Sequence, residues 1–207
     1  MAVVLEKNKY NLHNQYKAIV IGGSAGSFQV ISKILQNLPE DFQIPIIMCL
    51  HRLKDVRSGF AEALNIKSSK IITEPEDKEH IRKGCIYLAP ANYHLGVELG
   101  NTFTLSTEEM VNNSRPAIDI TFATASYVFR NKLIGILLSG ANRDGGLGMK
   151  RISERGGLTI VQEPKECLID TMPNAALELA PQIDHVLPTD EIIDLLLQLH
   201  KLYVAQV

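Results

Sequence analysis

Short, continuous apolar runs that alternate with amphipathic stretches constrain the fold of this 207-residue chain more than any other feature. A strand that is apolar on both faces belongs in a parallel sheet with helices packed on both sides. The alternation therefore predicts an α/β fold, a doubly wound and mostly parallel sheet with helices on both faces. The predicted strands cover residues 18–22, 44–51, 132–140, 158–162 and 184–188, and the predicted helices cover 27–38, 57–65, 116–130, 145–157, 174–180 and 190–204.

One segment departs from this alternation. Residues 84–107, "GCIYLAPANYHLGVELGNTFTLST", contain strand-like pieces separated by turn residues, which is typical of hairpins. We expect an antiparallel hairpin insert beside the parallel sheet. No internal repeat or linker interrupts the rest, so we predict an N-terminal arm over residues 1–16 and one domain over residues 17–207.

Composition excludes several classes of protein. The chain is 45% hydrophobic, enough for one substantial core, but no run is long and apolar enough to span a membrane and none resembles an export signal. Three cysteines without paired spacing fit neither a disulfide framework nor a zinc site. A net charge of −2 without a basic stripe argues against nucleic acid as a partner. We expect a soluble, cytoplasmic protein.

The first strand leads into a glycine-rich turn, "AIVIGGSAGSFQVI", residues 18–31. The dinucleotide pattern G-x-G-x-x-G does not fit it, and no Gly-Lys-Ser/Thr follows as a phosphate loop requires. The pattern G-x-S-x-G does fit, with a strand before it and a helix after it, as in a nucleophile elbow centred on Ser24. The alternative is that Ser24 or Ser27 only caps the helix. This stretch alone does not decide between the two.

A serine nucleophile needs a base and an acid that orients the base. His51 ends the second apolar run, which puts it beside the elbow if the first two strands are adjacent. Asp144 follows the strand "KLIGILLSG" in a glycine-rich turn, where it is either the acid or an N-cap. Asp119 is the second candidate for the acid, although its place near a helix start favours capping or surface exposure.

With these residues identified, the chain resembles the catalytic domain of the chemotaxis protein-glutamate methylesterases, the CheB family. The likeness extends from about Lys17 to about His200. It rests on "IGGSAGS", "LHR", "YLAPANYHL", "SRPAIDITF", "ILLSGANRDGGLGM", "TIVQEP" and "TMPNAAL", in the family's order. Several colinear motifs are far more specific than a single G-x-S-x-G.

The resemblance implies a fold, a reaction and a set of site residues. It places the nucleophile at Ser24, the base at His51 and the acid at Asp144, with backbone N–H groups near Ala25 and Ala141 as the oxyanion hole. It implies hydrolysis of glutamate methyl esters on the cytoplasmic helices of chemoreceptors and deamidation of certain glutamines. It implies no metal and no organic cofactor.

The chain also departs from the family's pattern. Ala25 stands where the family commonly has Thr, and Gly140-Ala141-Asn142 stands where it commonly has Gly-Met-Gly. Family members usually carry a phosphorylatable receiver domain, which about sixteen N-terminal residues cannot encode, so we expect no activation by phosphorylation within this chain and room for a separate regulatory protein. Two alternatives stay open: an esterase or amidase acting on another protein or small ester, and a non-catalytic scaffold module of the same fold.

Overall fold

The structure is a computed structural model that describes residues 9–205 except for residues 11, 14 and 52–58. The described strands are β1 (Ala18–Gly23), β2 (Ile46–Leu50), β3 (Ile72–Thr73), β4 (Ile86–Leu88), β5 (His94–Glu98), β6 (Thr102–Ser106), β7 (Leu133–Leu137), β8 (Leu158–Gln162) and β9 (His185–Leu187). The described helices are α1 (Ser27–Asn37), α2 (Phe60–Lys67), α3 (Ile118–Phe129), α4 (Gly146–Glu154), α5 (Thr171–Leu179) and α6 (Thr189–Val204).

Seven of these strands form one parallel sheet in the order β3-β4-β2-β1-β7-β8-β9. The chain first adds strands on one side of β1, beginning with β2, and later adds strands on the other side, beginning with β7. Ligands of such sheets bind where the winding reverses, at the carboxyl ends of the strands. The predicted doubly wound fold is therefore confirmed, and it directs attention to the carboxyl end of β1.

Helices cover both faces of the sheet, as predicted. Side chains of β1 alternate, with Ile19 and Ile21 in one buried cluster and Ala18 and Val20 in the other. The first cluster lies under α1 and α6, and the second lies under α3, α4 and the β5–β6 hairpin. Because helices bury both faces of the sheet, its strands must be apolar on both faces.

The predicted insert over residues 84–107 is wrong in part. Its first strand, β4, is a parallel member of the main sheet, between β2 and β3, and only β5 and β6 form the separate antiparallel pair. The two-residue strand β3 was not predicted, because two residues carry no readable periodicity.

Two other expectations meet the limits of the described residues. Residues 57 and 58 of the predicted helix 57–65 lie outside them, and α2 runs from Phe60 to Lys67. Residues 1–8, 11 and 14 of the predicted arm also lie outside them. In the rest of that arm, Tyr10 and Leu12 are buried against the first cluster. Among the described residues, no helix combines the length and the apolar character that crossing a bilayer demands.

Candidate active site

Two glycines shape the turn that carries Ser24 between β1 and α1. A Cβ on Gly22 would lie 2.6 Å from Ile118 Cγ2, so only glycine lets α3 approach β1 this closely. Gly26 is the N-cap of α1 with φ of 87°, a left-handed conformation that favours glycine. Ser24 lies half-buried between these two positions, at the carboxyl edge of the sheet.

His51 is held next to Ser24 by the pairing of β1 with β2. Gly23 pairs with Leu50 in the parallel register, and the His51 N–H donates to the Gly23 carbonyl at 3.0 Å. The next residues of the two strands, Ser24 and His51, are therefore neighbours across the pair. The expectation that the first two strands are adjacent is confirmed.

Asp144 reaches the same edge from the other side of β1, where β7 pairs with it. Its Oδ2 lies 2.7 Å from His51 Nε2, and its side chain is fully buried. Burial opposes ionisation of this carboxylate, but hydrogen bonds from His51 and from the N–H groups of Ile118 and Asp119 outweigh it, so the pKa of Asp144 lies below its usual range. An ionised acceptor at Nε2 orients the imidazole.

The bond to Asp144 leaves Nδ1 as the ring nitrogen of His51 that can take up a proton. Ser114 Oγ lies 3.4 Å from Nδ1, and the Asn142 amide donates to the same hydroxyl at 3.4 Å. Among the described residues, no hydrogen bond joins the Ser24 hydroxyl to His51. Hydrogen bonds of this kind are often long without substrate and shorten when it binds.

The helix-cap interpretation of Ser24 and Ser27 does not hold. Gly26 is the N-cap residue, and α1 has no side-chain cap. Ser27 is buried, and its hydroxyl donates to the Ser24 carbonyl at 2.7 Å, which fixes the turn rather than the helix end. The Ser24 side chain is thus left for another role.

The two predicted oxyanion donors, Ala25 and Ala141, lie on the loops that follow β1 and β7. Both residues are exposed, and within the part of the chain that the structure describes neither N–H has an acceptor. Ser139 ties these loops together, because its hydroxyl oxygen lies 2.8 Å from the Ala25 carbonyl and accepts the Ile169 N–H at 3.1 Å. Free N–H groups on fixed loops can stabilise an oxyanion.

Of the two expectations for Asp119, capping is right and surface exposure is wrong. Asp119 is 9% exposed, and its Oδ1 accepts the N–H groups of Gly145 and Gly148 at 2.9 and 2.7 Å. It therefore caps α4 rather than its own helix. Burial raises the pKa of Asp119 to about 6, helped by the Asp144 charge and opposed by the N–H donors. His51 contacts Asp144, the first candidate for the acid, and not Asp119, the second.

Three polar residues of the site escaped the sequence interpretation: Asn112, Ser114 and His94. Asn112 and Ser114 belong to "VNNSRPA", whose only signal is a polar turn directly before a helix. His94 is 2% exposed and caps α3, because its Nδ1 accepts the Ala117 N–H at 3.2 Å while Nε2 lies 2.9 Å from the Glu109 carbonyl.

A cavity of about 960 Å³ opens at the opposite edge of the sheet. Lys17, Pro45 and Lys132, which precede β1, β2 and β7, contribute to its wall. None of the predicted catalytic side chains lines it. We place the chemistry at the carboxyl edge, where the ionisable groups converge.

The chain is similar to known proteins over most of its length. A putative protein-glutamate methylesterase/protein-glutamine glutaminase of Leptospira interrogans is 45% identical over 186 residues, which cover 90% of this chain and 96% of that protein. A protein-glutamate methylesterase/protein-glutamine glutaminase of Clostridium acetobutylicum is 34% identical over 178 residues, and the chain spans about half of it, 51%.

A solved structure matches as well. The crystal structure of the Thermotoga maritima CheB methylesterase catalytic domain superposes with a TM-score of 0.82 at 32% identity, covering 89% of this chain and 98% of that domain. The model of the CheB methylesterase family matches residues 19–196, most of the chain. The chain therefore belongs to the CheB methylesterase family.

Proposed function

We propose that this protein is a protein-glutamate methylesterase that also acts as a protein-glutamine glutaminase, with Ser24 as nucleophile, His51 as base and Asp144 as the orienting acid. The observation that carries the proposal is the 2.7 Å contact between His51 and a fully buried Asp144, next to a serine in an elbow. Both activities appear in the names of relatives with the same domain.

In the esterase reaction, Ser24 Oγ attacks the carbonyl carbon of the glutamate methyl ester and His51 Nδ1 accepts the hydroxyl proton. Asp144 stabilises the imidazolium through Nε2–H. The tetrahedral oxyanion accepts hydrogen bonds from the Ala25 and Ala141 N–H groups, worth roughly 3 kcal/mol per donor in comparable sites. The bond to methoxide then breaks, and His51 returns its proton so that methanol leaves.

The resulting acyl-enzyme links Ser24 to the glutamyl carbonyl. Water attacks this ester, His51 again accepts a proton, and the collapse of the second intermediate releases a free glutamate carboxyl and restores Ser24. A glutamine side chain enters the same scheme with ammonia in place of methanol. The amide route depends more on His51, because a nitrogen leaving group must be protonated before it departs.

The substrates that fit this proposal are glutamate methyl esters and glutamines on the cytoplasmic helices of methyl-accepting chemoreceptors, and we propose that the protein acts on them in the cytoplasm. The CheB family assignment supports this choice of partner. Exposed backbone donors at Ala25 and Ala141 fit a substrate that approaches from outside, as a helix of another protein does.

The test is methanol release from a methylated receptor fragment, measured for the wild-type protein and for Ser24→Ala. We expect release only from the wild type. Labelling by a fluorophosphonate probe, mapped to Ser24, checks the nucleophile separately. Labelling without methanol release favours an esterase for another ester, and failure of both reactions favours a non-catalytic module.

A further inference from the structure

The amino termini of α3 and α4 face each other, and each is capped by a carboxylate that belongs to the other. Asp144, just before α4, accepts the N–H groups of Ile118 and Asp119 at the start of α3, at 2.7 and 3.1 Å. Asp119, in the first turn of α3, accepts the N–H groups of Gly145 and Gly148 at the start of α4, at 2.9 and 2.7 Å. Each carboxylate thus lies at the positive end of a helix dipole.

A neutral amide lies between these two carboxylates. Asn112 Nδ2 donates to Asp119 Oδ2 at 2.9 Å and to Asp144 Oδ1 at 3.1 Å. Asn112 has φ of 52°, a left-handed conformation that asparagine tolerates better than most residues. The Gly145 N–H also contacts both carboxylates, at 2.9 Å to Asp119 and 3.1 Å to Asp144. The two acids are therefore held together by shared donors.

This arrangement connects Asp119 to His51 through Asp144. Asp144 Oδ1 takes the Asn112, Asp119 and Gly145 donors, while Oδ2 takes the Ile118 N–H and faces His51. The orientation of Oδ2 toward the imidazole thus depends on the set of donors that Asp119 shares. Capping of α4 accounts for the bond from the Gly145 N–H, but not for the Asn112 amide that donates to both carboxylates.

We propose that Asp119 is a positioning residue, which, together with Asn112, holds the Asp144 carboxylate against His51 and adds its own negative charge to the site. Two other charged or titratable groups lie at this end of α3 among the described residues. The ring of His94 bonds to Ala117 and Glu109, and the Arg115 guanidinium donates to Asn92, Thr107 and Glu108, so neither contacts the two carboxylates. An effect of Asp119 on kcat can be seen only if the proposed function is right, so the test also includes a measurement that does not require catalysis.

The test is an NMR pH titration of the His51 ring in the wild type and in Asp119→Asn, with the resonance assigned through His51→Gln. Asparagine keeps an oxygen that can accept the Gly145 and Gly148 N–H groups but removes one negative charge near the imidazole. Because a nearby carboxylate favours the charged imidazolium, we expect the midpoint to move to lower pH in the variant. We also expect kcat on a methyl ester to fall several-fold with little change in KM.

Two further variants sharpen the result. Asn112→Gly removes the bridging amide and tolerates the left-handed backbone, and we expect a several-fold loss of kcat with little change in KM. Asp184→Asn is the matched control, since Asp184 also accepts a backbone N–H, from Thr159 at 2.8 Å, but far from His51 in the sheet. We expect it to leave the midpoint and kcat unchanged.

An unchanged His51 midpoint in Asp119→Asn overturns the proposal and makes Asp119 a helix cap only, whatever happens to thermal stability. If the His51 midpoint shifts in Asp119→Asn but the wild-type protein releases no methanol, the positioning role is supported and the proposed esterase activity is not. The two ideas therefore fail separately.

Discussion

At the scale of single residues, Ser24 is distinguished by a hydroxyl group that takes no part in holding the turn together. The neighbouring Ser27 hydroxyl is used up in a 2.7 Å bond to the Ser24 carbonyl, and the helix N-cap is a glycine. Among the described residues the Ser24 hydroxyl makes no hydrogen bond, and a serine left free in such a strand-to-helix turn is placed to react.

Ser24→Ala should therefore abolish methyl ester hydrolysis and leave the fold intact, because loss of a serine nucleophile reduces kcat on the order of a millionfold in a comparable triad. The measurement is methanol release together with circular dichroism. Ser27→Ala is the matched control, expected to weaken the turn and retain most of the activity. Turnover by Ser24→Ala would refute the nucleophile assignment.

Asp144→Asn should reduce kcat on the order of ten-thousandfold, since the amide holds the imidazole in the wrong tautomer while the geometry persists. The comparison is with Asp119→Asn, for which a smaller loss is expected because Asp119 does not touch His51. Steady-state kinetics on the same ester decides the order. If Asp119→Asn were the more damaging change, the acid would have been assigned to the wrong residue.

The sequence could locate Ser24, His51 and Asp144 because each comes shortly after a strand of a parallel sheet, and the carboxyl ends of such strands meet at one edge. It could not locate the role of Asp119. The N–H groups that hold this carboxylate belong to another helix, 26 and 29 positions along the chain. Helix position alone favours an exposed or self-capping aspartate, and only tertiary packing reverses that.

At the scale of elements, the site depends on how tightly the turn after β1 contacts the loop after β8. A Cβ on Gly26 would lie 2.6 Å from Leu168 Cβ and 2.7 Å from Ser139 Oγ. Ser139 in turn holds Ile169. The elbow and this loop form one packed unit, and glycine at position 26 is a condition for it.

Gly26→Ala should lower the free energy of unfolding by at least about 1–2 kcal/mol, because alanine is strained at a φ of 87° before the clash with Leu168 is counted. The measurements are the free energy of unfolding in urea and kcat, and both should be lower in the variant. Gly100→Ala is the control, since its Cβ would meet only Thr102 Oγ1 at 3.7 Å. Full activity in Gly26→Ala would mean that the turn is not constrained as described.

Prediction of the elements succeeded for the long apolar runs and for the short strand β9, but it missed β3 and assigned β4 to the wrong sheet. The strands through the middle of the sheet are continuous apolar runs, and each was located. β4 has three residues beside a true hairpin, so its turn residues suggested that it belonged to that hairpin. Whether a short strand pairs in parallel or antiparallel is set by its neighbours in the sheet, here β2 and β3, and these are distant in the sequence.

At the scale of the whole molecule, the pair of facing helix termini links catalysis to stability. Two carboxylates share donors, and their ionisation is driven in opposite directions: the pKa of Asp144 is lowered and that of Asp119 is raised to about 6. The chain thus tolerates an unfavourable charge on Asp119 at neutral pH in order to keep Asp144 fixed. Functional sites commonly reduce stability in this way.

This arrangement predicts the pH dependence of unfolding. An aspartate has an unfolded pKa of about 3.9, so between about pH 4 and pH 6 the folded protein retains a proton on Asp119 that the unfolded chain has lost. The free energy of unfolding should therefore decrease as the pH rises through this window. The contribution of Asp144 has the opposite sign and is lost only at lower pH, as the pH falls through its folded pKa.

Urea unfolding of the wild type and Asp119→Asn at about pH 4.5 and about pH 7.5 measures the effect. Relative to the variant, the wild type should lose stability between the two conditions, by at most about 3 kcal/mol and by less where water screens the carboxylate. Asp184→Asn should keep the wild-type difference, because Asp184 bonds to Thr159 and lies apart from the facing helix termini. Parallel pH dependence in wild type and Asp119→Asn would mean that Asp119 is already ionised throughout this range, so that neither its burial nor the Asp144 charge raises its pKa in the folded protein.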